Sequence, residues 1–248
     1  MKHFLIPIAI AIATLTSCNP NNNSTDTLRI MSYNVRNCKG MDLKLDYDRC
    51  ADVINRAQPD IVAVQELDSM TSRYEGYYAL GELATRTKMH DYYAPSIKYK
   101  GGKYGIGILS KEPAISLKQY PLPCRKEPRT MLVAEFDKFY FICTHLSLIG
   151  EDQVESVRII NDITKQLNKP FILAGDLNAT PESETMQSFF EFCRPLSDTT
   201  QLTIPADVPK RCIDYILTNS ERIEGSNATV IEEPTASDHR PLYVDTTF

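Results

Sequence analysis

Acids, amides and imidazoles recur in this chain directly after short apolar runs. Asn34 follows "LRIMSY", Glu66 follows "IVAVQ", His145 ends "FYFICTH", and Asp176 with Asn178 follows "FILAG". Asp214 interrupts "CIDYIL", and Asp238 with His239 stands one residue before "PLYV". Each has an ordinary structural account: an Asp/Asn turn, a helix cap, a satisfied histidine, an ion pair between Asp214 and Arg211. Together they mark one kind of position, the end of a buried strand, where α/β sheets gather the groups that hold a ligand and move its protons. Ser237, Asp238 and His239 supply the residue types of a nucleophilic triad. Being consecutive, they cannot form the relay in which the imidazole bridges the other two.

The elements that position these residues are legible from periodicity. "LRIMSYNV" alternates as a strand, and "DYDRCADVINRAQPD" carries Tyr47, Cys50, Ala51, Val53, Ile54 and Ala57 at helical spacing before Pro59. "IVAVQE" completes a strand–helix–strand crossover, the unit of parallel pairing. From Tyr92 the pattern turns to short strands ("YYAPSI", "GIGILS", "AISLKQY", "TMLVAEF", "FYFICTH") that read as a meander, with a tight turn at Asp137 and Lys138. A helix is expected over 152–167, then the "FILAGD" strand, a helix near 182–192, and strands at "CIDYILTN", "ATVIEE" and "PLYVDTTF". This mixture predicts one α/β domain over 28–248, two mixed sheets packed face to face with helices outside.

Composition narrows the setting. The chain has 248 residues, 42% hydrophobic and 24% charged, with 15 prolines and no Trp, as a globular protein would. Residues 1–17 read as a signal peptide: Lys2, an apolar stretch over 4–13 too short to span a bilayer comfortably, then "LTSC". Residues 15–18 resemble a bacterial lipobox, with Cys18 as the lipidated first residue and 18–27 as a polar tether. The expected location is the cell envelope, exported and lipid-anchored, facing the periplasm or the cell surface. Losing the leader removes Lys2 and no acid, which shifts the formal charge from -5 to -6. An acidic balance argues against a processive duplex-DNA binder. A local exception is "IKYKGGKYG", where Lys98, Lys100 and Lys103 alternate with Tyr99 and Tyr104; it suits either phosphate and ring binding or a soluble hairpin. Six cysteines besides Cys18 allow at most one or two disulfides on this reading.

The ordered set "MSYNV", "QE", "YGIGILS", "THL", "GDLNATP", "IDYIL" and "SDHRPL" resembles the endonuclease/exonuclease/phosphatase superfamily over 28–248. The resemblance implies a DNase I-like four-layer α/β sandwich, a divalent metal (Mg²⁺, with Mn²⁺ as the substitute) and cleavage of a phosphoester bond. It makes Glu66 the main metal carboxylate with Asn34 beside it and Asp238 supporting the metal side. Asp176 would deprotonate the attacking water and Asn178 would hold it in line. His239, oriented by Asp214, would donate to a phosphate oxygen, with His145 near the leaving group. Tyr104 would wall the site. Arg129, in "EPRT", is the expected phosphate contact, because a guanidinium fork fits phosphate oxygens. The expected function is a Mg²⁺-dependent phosphodiesterase or phosphatase acting on a small, lipid or nucleic-acid phosphoester. The alternatives are a secreted or surface scavenging nuclease on DNA or RNA, and a catalytically silent binding lipoprotein.

Overall fold

The computed structural model describes residues 27–248; the expected signal peptide, Cys18 and the expected polar tether up to Asp26 lie outside the described residues. β1 (Thr27–Asn34), α1 (Tyr47–Ala57) and β2 (Ile61–Ser69) form a parallel crossover. α1 starts where the Asp46 carboxylate caps the Arg49 N–H, and it stops at Gln58 in the left-handed region before Pro59. Then come α2 (Ala79–Thr87), β3 (His90–Tyr99), β4 (Gly102–Ser110), β5 (Ser116–Leu122), β6 (Arg129–Glu135) and β7 (Tyr140–His145). α3 (Gly150–Thr164) leads into β8 (Phe171–Asp176), which pairs with β7 in a second parallel crossover. α4 (Glu184–Phe190), β9 (Arg194–Pro195), β10 (Asp214–Thr218), β11 (Glu224–Val230) and β12 (Leu242–Thr247) complete the chain.

The strands form two mixed six-stranded sheets, ordered β11-β12-β1-β2-β4-β3 and β5-β6-β7-β8-β10-β9. Three apolar cores make four layers. Met31, Tyr33, Val62 and Val64 face α1 and α2; Ile30, Ala63, Phe141 and Ile172 meet between the sheets; Met131, Leu173 and Tyr215 face α3 and α4.

Alternation along the strands turns the central core into a site. Ile30 pairs with Ile61, Ser32 with Ala63 and Asn34 with Gln65. In the other sheet Phe141 pairs with Ile172, Cys143 with Ala174 and His145 with Asp176, while Asp214 lies across from Asp176 on the antiparallel β10. With a side-chain period of two, each of these strands points a large apolar residue, then a small one, then a polar one into the same layer. The base of the sandwich is therefore hydrophobic and its top is chemical.

Several expectations are corrected. The meander is split, because the chain passes between sheets after Ser110: β3 and β4 belong to the first sheet, β5, β6 and β7 to the second. The Asp137–Lys138 turn is present, closed by the Phe136 N–H to the Phe139 carbonyl at 2.9 Å. α2 was not anticipated, its nine residues being interrupted by Gly81 and its burial confined to Ala79, Leu80, Leu83 and Ala84. β11 begins at Glu224 rather than Ala228, a weakly patterned segment placed by pairing with β12. The six cysteines of the described residues are free thiols, five of them buried and acting as small apolar side chains.

Candidate functional site

The polar residues singled out above converge at the top of the sandwich, brought there by strands of both sheets. Asp176 is the centre. It is 1% exposed, and its Oδ2 accepts from Asn34 Nδ2 at 3.0 Å while lying 3.4 Å from His145 Nε2 and 3.6 Å from His239 Nε2. Its Oδ1 accepts the Asn178 backbone N–H at 2.9 Å. Burial, then the nearby Asp214 charge, pushes the Asp176 carboxyl up to about 7. Gly175, one residue earlier, has a steric reason: a Cβ there would collide with the Thr144 carbonyl of β7.

His239 and Asp214 form the second unit. His239 Nδ1–H donates to Asp214 Oδ2 at 2.9 Å and Oδ1 at 3.2 Å, which leaves Nε2 facing Asp176. Burial works to lower the imidazole pKa, but the Asp214 and Asp176 charges outweigh it and raise His239 to about 10, so it is cationic at neutral pH. His145 goes the other way. Burial, Arg129 and His239 hold it well below the usual histidine range, and it is neutral.

Glu66 stands on a β-bulge between Val64 and Leu67, with φ of 61°, in the left-handed region uncommon for a side chain of its size. The bulge turns its carboxylate out of the alternation. Oε1 accepts from Asn34 Nδ2 at 3.1 Å, and the surroundings remove enough water to raise its pKa. Asn34 therefore shows its NH₂ to both acids, while its Oδ1 accepts the Arg36 N–H at 3.1 Å. As placed it fixes the two carboxylates, and it becomes an oxygen ligand only when the amide turns over. Asn178, also at positive φ (51°), ties its NH₂ to the Leu146 carbonyl at 3.1 Å and keeps its Oδ1 for a ligand. Arg129 is 8% exposed and ion-paired to Glu127, but its Nε is buried without a partner, a donor suited to a phosphate oxygen. Tyr104 lies beside Glu66 and Arg129, where burial raises its hydroxyl pKa.

The endonuclease/exonuclease/phosphatase sequence profile matches residues 31–239, spanning every residue of this constellation. The chain belongs to the endonuclease/exonuclease/phosphatase family. Solved structures share the fold at low identity. A family protein from Beutenbergia cavernae superposes with a TM-score of 0.74 at 22% identity, covering 90% of this chain and 72% of that one. One from Bacteroides vulgatus gives 0.75 at 17%, covering 90% and 99%. A mannosyl-6-phosphatase of Bacteroides thetaiotaomicron gives 0.71 at 18%, covering 89% and 100%. No curated protein matches by sequence.

Endonuclease/exonuclease/phosphatase proteins hydrolyse phosphoester bonds and typically depend on a divalent metal. The residues here fit such an ion. Asp176, Asp214 and His239 bring one potential ligand atom each within 4.8 Å of one another, but a cationic His239 has no lone pair to offer, so the carboxylates supply the ligands, Glu66 among them through the Asn34 amide it shares with Asp176. Burial first, then the charges of Asp238 beside Glu66 and of Asp214 beside Asp176, raises both carboxyls, and a cation at this place would favour their ionised forms. Asp214 is already engaged by His239 and by the Thr203 hydroxyl, whereas Glu66 and Asp238 retain carboxylate oxygens nearer the surface.

Sequence reasoning missed Arg36 and Thr203. Arg36 Nε lies 3.5 Å from Asp238 Oδ2, aimed there by a turn in which Arg36, Asn37 and Cys38 all have positive φ. Its signal was its place two residues after Asn34; Thr203, in the loop before β10, had none. A cavity of about 620 Å³ lies at the base near Leu28, Ile61, Phe136 and Phe248. It holds no such convergence of acids and imidazoles, so chemistry rather than concavity locates the site.

Proposed function

We propose that the protein is a divalent metal-dependent phosphoester hydrolase of Mg²⁺ preference, acting by direct attack of water on phosphorus. The observation that carries this is buried Asp176, 3.4 Å from His145 Nε2, 3.6 Å from His239 Nε2 and joined to Glu66 through the Asn34 amide. Glu66 and Asp238, with Asn34 after its amide turns over, would hold the metal, which when bound neutralises phosphate charge and orients the ester. Asp176, buried and fixed by Asn34 Nδ2 and the Asn178 N–H, takes the proton of the attacking water. Asn178 Oδ1 accepts that water's other hydrogen. His239, kept charged by Asp214, donates from Nε2 to the phosphoryl oxygen on which charge builds. The buried Arg129 Nε meets another oxygen. His145, being neutral, serves by donating a hydrogen bond toward the leaving oxygen rather than as a cationic clamp. Lipid anchoring through Cys18 and an envelope location complete the reading; Cys18→Ser followed by membrane fractionation tests them.

The deciding experiment is turnover of a panel (DNA, RNA, sphingomyelin, sugar phosphates, an aryl phosphodiester) with Mg²⁺, with Mn²⁺, with chelator and with His239→Ala. Mg²⁺-dependent release abolished by the substitution supports the proposal. A folded, metal-binding protein inert on every member would count against it, and one that also fails to bind metal would favour a silent binding protein.

A further inference from the structure

The "IKYKGGKYG" stretch is the hairpin of β3 and β4, its tip formed by Lys100 (φ 42°) and Gly101 (φ 82°). Two positive φ values in succession make the tight turn that suits a right-twisted strand pair. The tip stands above the catalytic layer, because Lys103 pairs with Ser69 and Tyr104 with Asp68, beyond the Glu66 bulge. A short turn after β2 is bound to it by the Ser72 N–H to the Lys100 carbonyl at 2.9 Å.

Between turn and hairpin sits Arg73. Two hydrogen bonds to Asp68, itself 1% exposed and also bonded by Thr71, consume its charge and lock its plane. Its guanidinium carbon lies 4.8 Å from the Tyr99 ring centre, 5.2 Å from Tyr74 and 5.6 Å from Tyr104. Arg73 is thus a spacer that holds three rings in place. Tyr74 and Tyr99 are half-exposed, and Tyr74 lies near Arg36 at the metal side of the site. Lys98, Lys100 and Lys103 form no ion pair among the described residues, and the Lys100 ammonium is 5.5 Å from the Tyr99 centroid.

We propose that Tyr74 and Tyr99, held by Arg73, are a stacking platform for a nucleobase next to the scissile phosphate, and that the three hairpin lysines bind flanking phosphates. The substrate class is then a single-stranded nucleic acid or short oligonucleotide. Fixed aromatic faces interleaved with unpaired cations are what unstacked bases on a phosphate backbone require. The acidic chain as a whole suits a short local contact better than a duplex track. This rests on the phosphoester-hydrolase reading of the adjoining site.

The test separates the two claims by measuring binding without catalysis. A fluorescein-labelled oligothymidylate is titrated in chelator across a sodium chloride series, and aryl phosphodiester turnover is measured separately in Mg²⁺. Tyr99→Ala and Tyr74→Ala should each weaken binding roughly ten-fold. Tyr99→Phe should retain binding. Replacing Lys98, Lys100 and Lys103 by Gln should reduce the salt slope by about 0.7 for each phosphate that is no longer neutralised. Oligonucleotide binding unmoved by all of these variants would overturn the platform, whatever the enzyme hydrolyses. So would stronger binding to phosphatidylglycerol vesicles than to the oligonucleotide, an arm included because Leu43, Met70, Leu148 and Val208 are exposed on loops at the same end. If the oligonucleotide binds as expected while every member of the phosphoester panel is inert, the hydrolase reading fails and the binding platform stands.

Discussion

Asp214 decides which histidine carries the charge. His239 and His145 are both buried beside Asp176, yet only His239 has a carboxylate on its far nitrogen, and the two move in opposite directions. Asp214→Asn should bring the His239 pKa down from about 10 toward the ordinary histidine range, read by NMR titration, and lower turnover by roughly 10²-fold or more. A second prediction concerns pH. Asp176 is raised from 3.8 to about 7, so the folded, metal-free protein holds a proton there that the unfolded chain has released. Its stability should therefore fall as pH rises through that window. His239 behaves differently: its contribution is complete below its unfolded pKa of 6.5 and is lost as pH rises through about 10. Mg²⁺ replaces the Asp176 proton as a source of positive charge, so thermal melts with the metal should show a flatter pH dependence between 4 and 7 than melts in chelator. Identical profiles would remove Asp176 from the metal's surroundings.

At the scale of elements, strand ends and their irregularities aim the side chains. Glu66 reaches the site because a bulge breaks the alternation of β2 after Val64. Asp176 and His145 are register partners because β7 and β8 approach closely at Gly175. Gly175→Ala should force these strands apart, lowering turnover while far-UV circular dichroism stays close to that of the parent. The α1 cap is a structural counterpart. Asp46→Ala should cost about 1 kcal/mol in urea unfolding, since it removes the acceptor of the Arg49 N–H and touches no site residue.

For the whole molecule, the site exists only because two sheets are packed face to face. Asn34 and Glu66 come from one sheet, His145, Asp176 and Asp214 from the other, and Asn34 Nδ2 joins them across the layer. Phe141, fully buried at the base of that layer, is part of what sets the separation. Phe141→Ala should destabilise by about 3–5 kcal/mol in urea, because neighbours fixed in two sheets cannot collapse into the space. A smaller loss would mean that the sheets can close the gap.

Much of this was written locally in the chain. The strands of the crossovers, the face of α1, the tight turn at Asp137 and the position of each acid and histidine at a strand end follow from side-chain period and turn chemistry, which act over a few residues. Motif order over 31–239 also carries the family. What the local signal could not contain are the long-range terms. The split of β3–β7 between two sheets, α2 with its narrow buried face, and the start of β11 depend on partners distant in sequence. So do the amide face that Asn34 presents, the arrival of Arg36 at Asp238, and the opposite charge states of two histidines. Burial and Coulomb interaction act through space, and only the packed sandwich brings those groups within reach of one another.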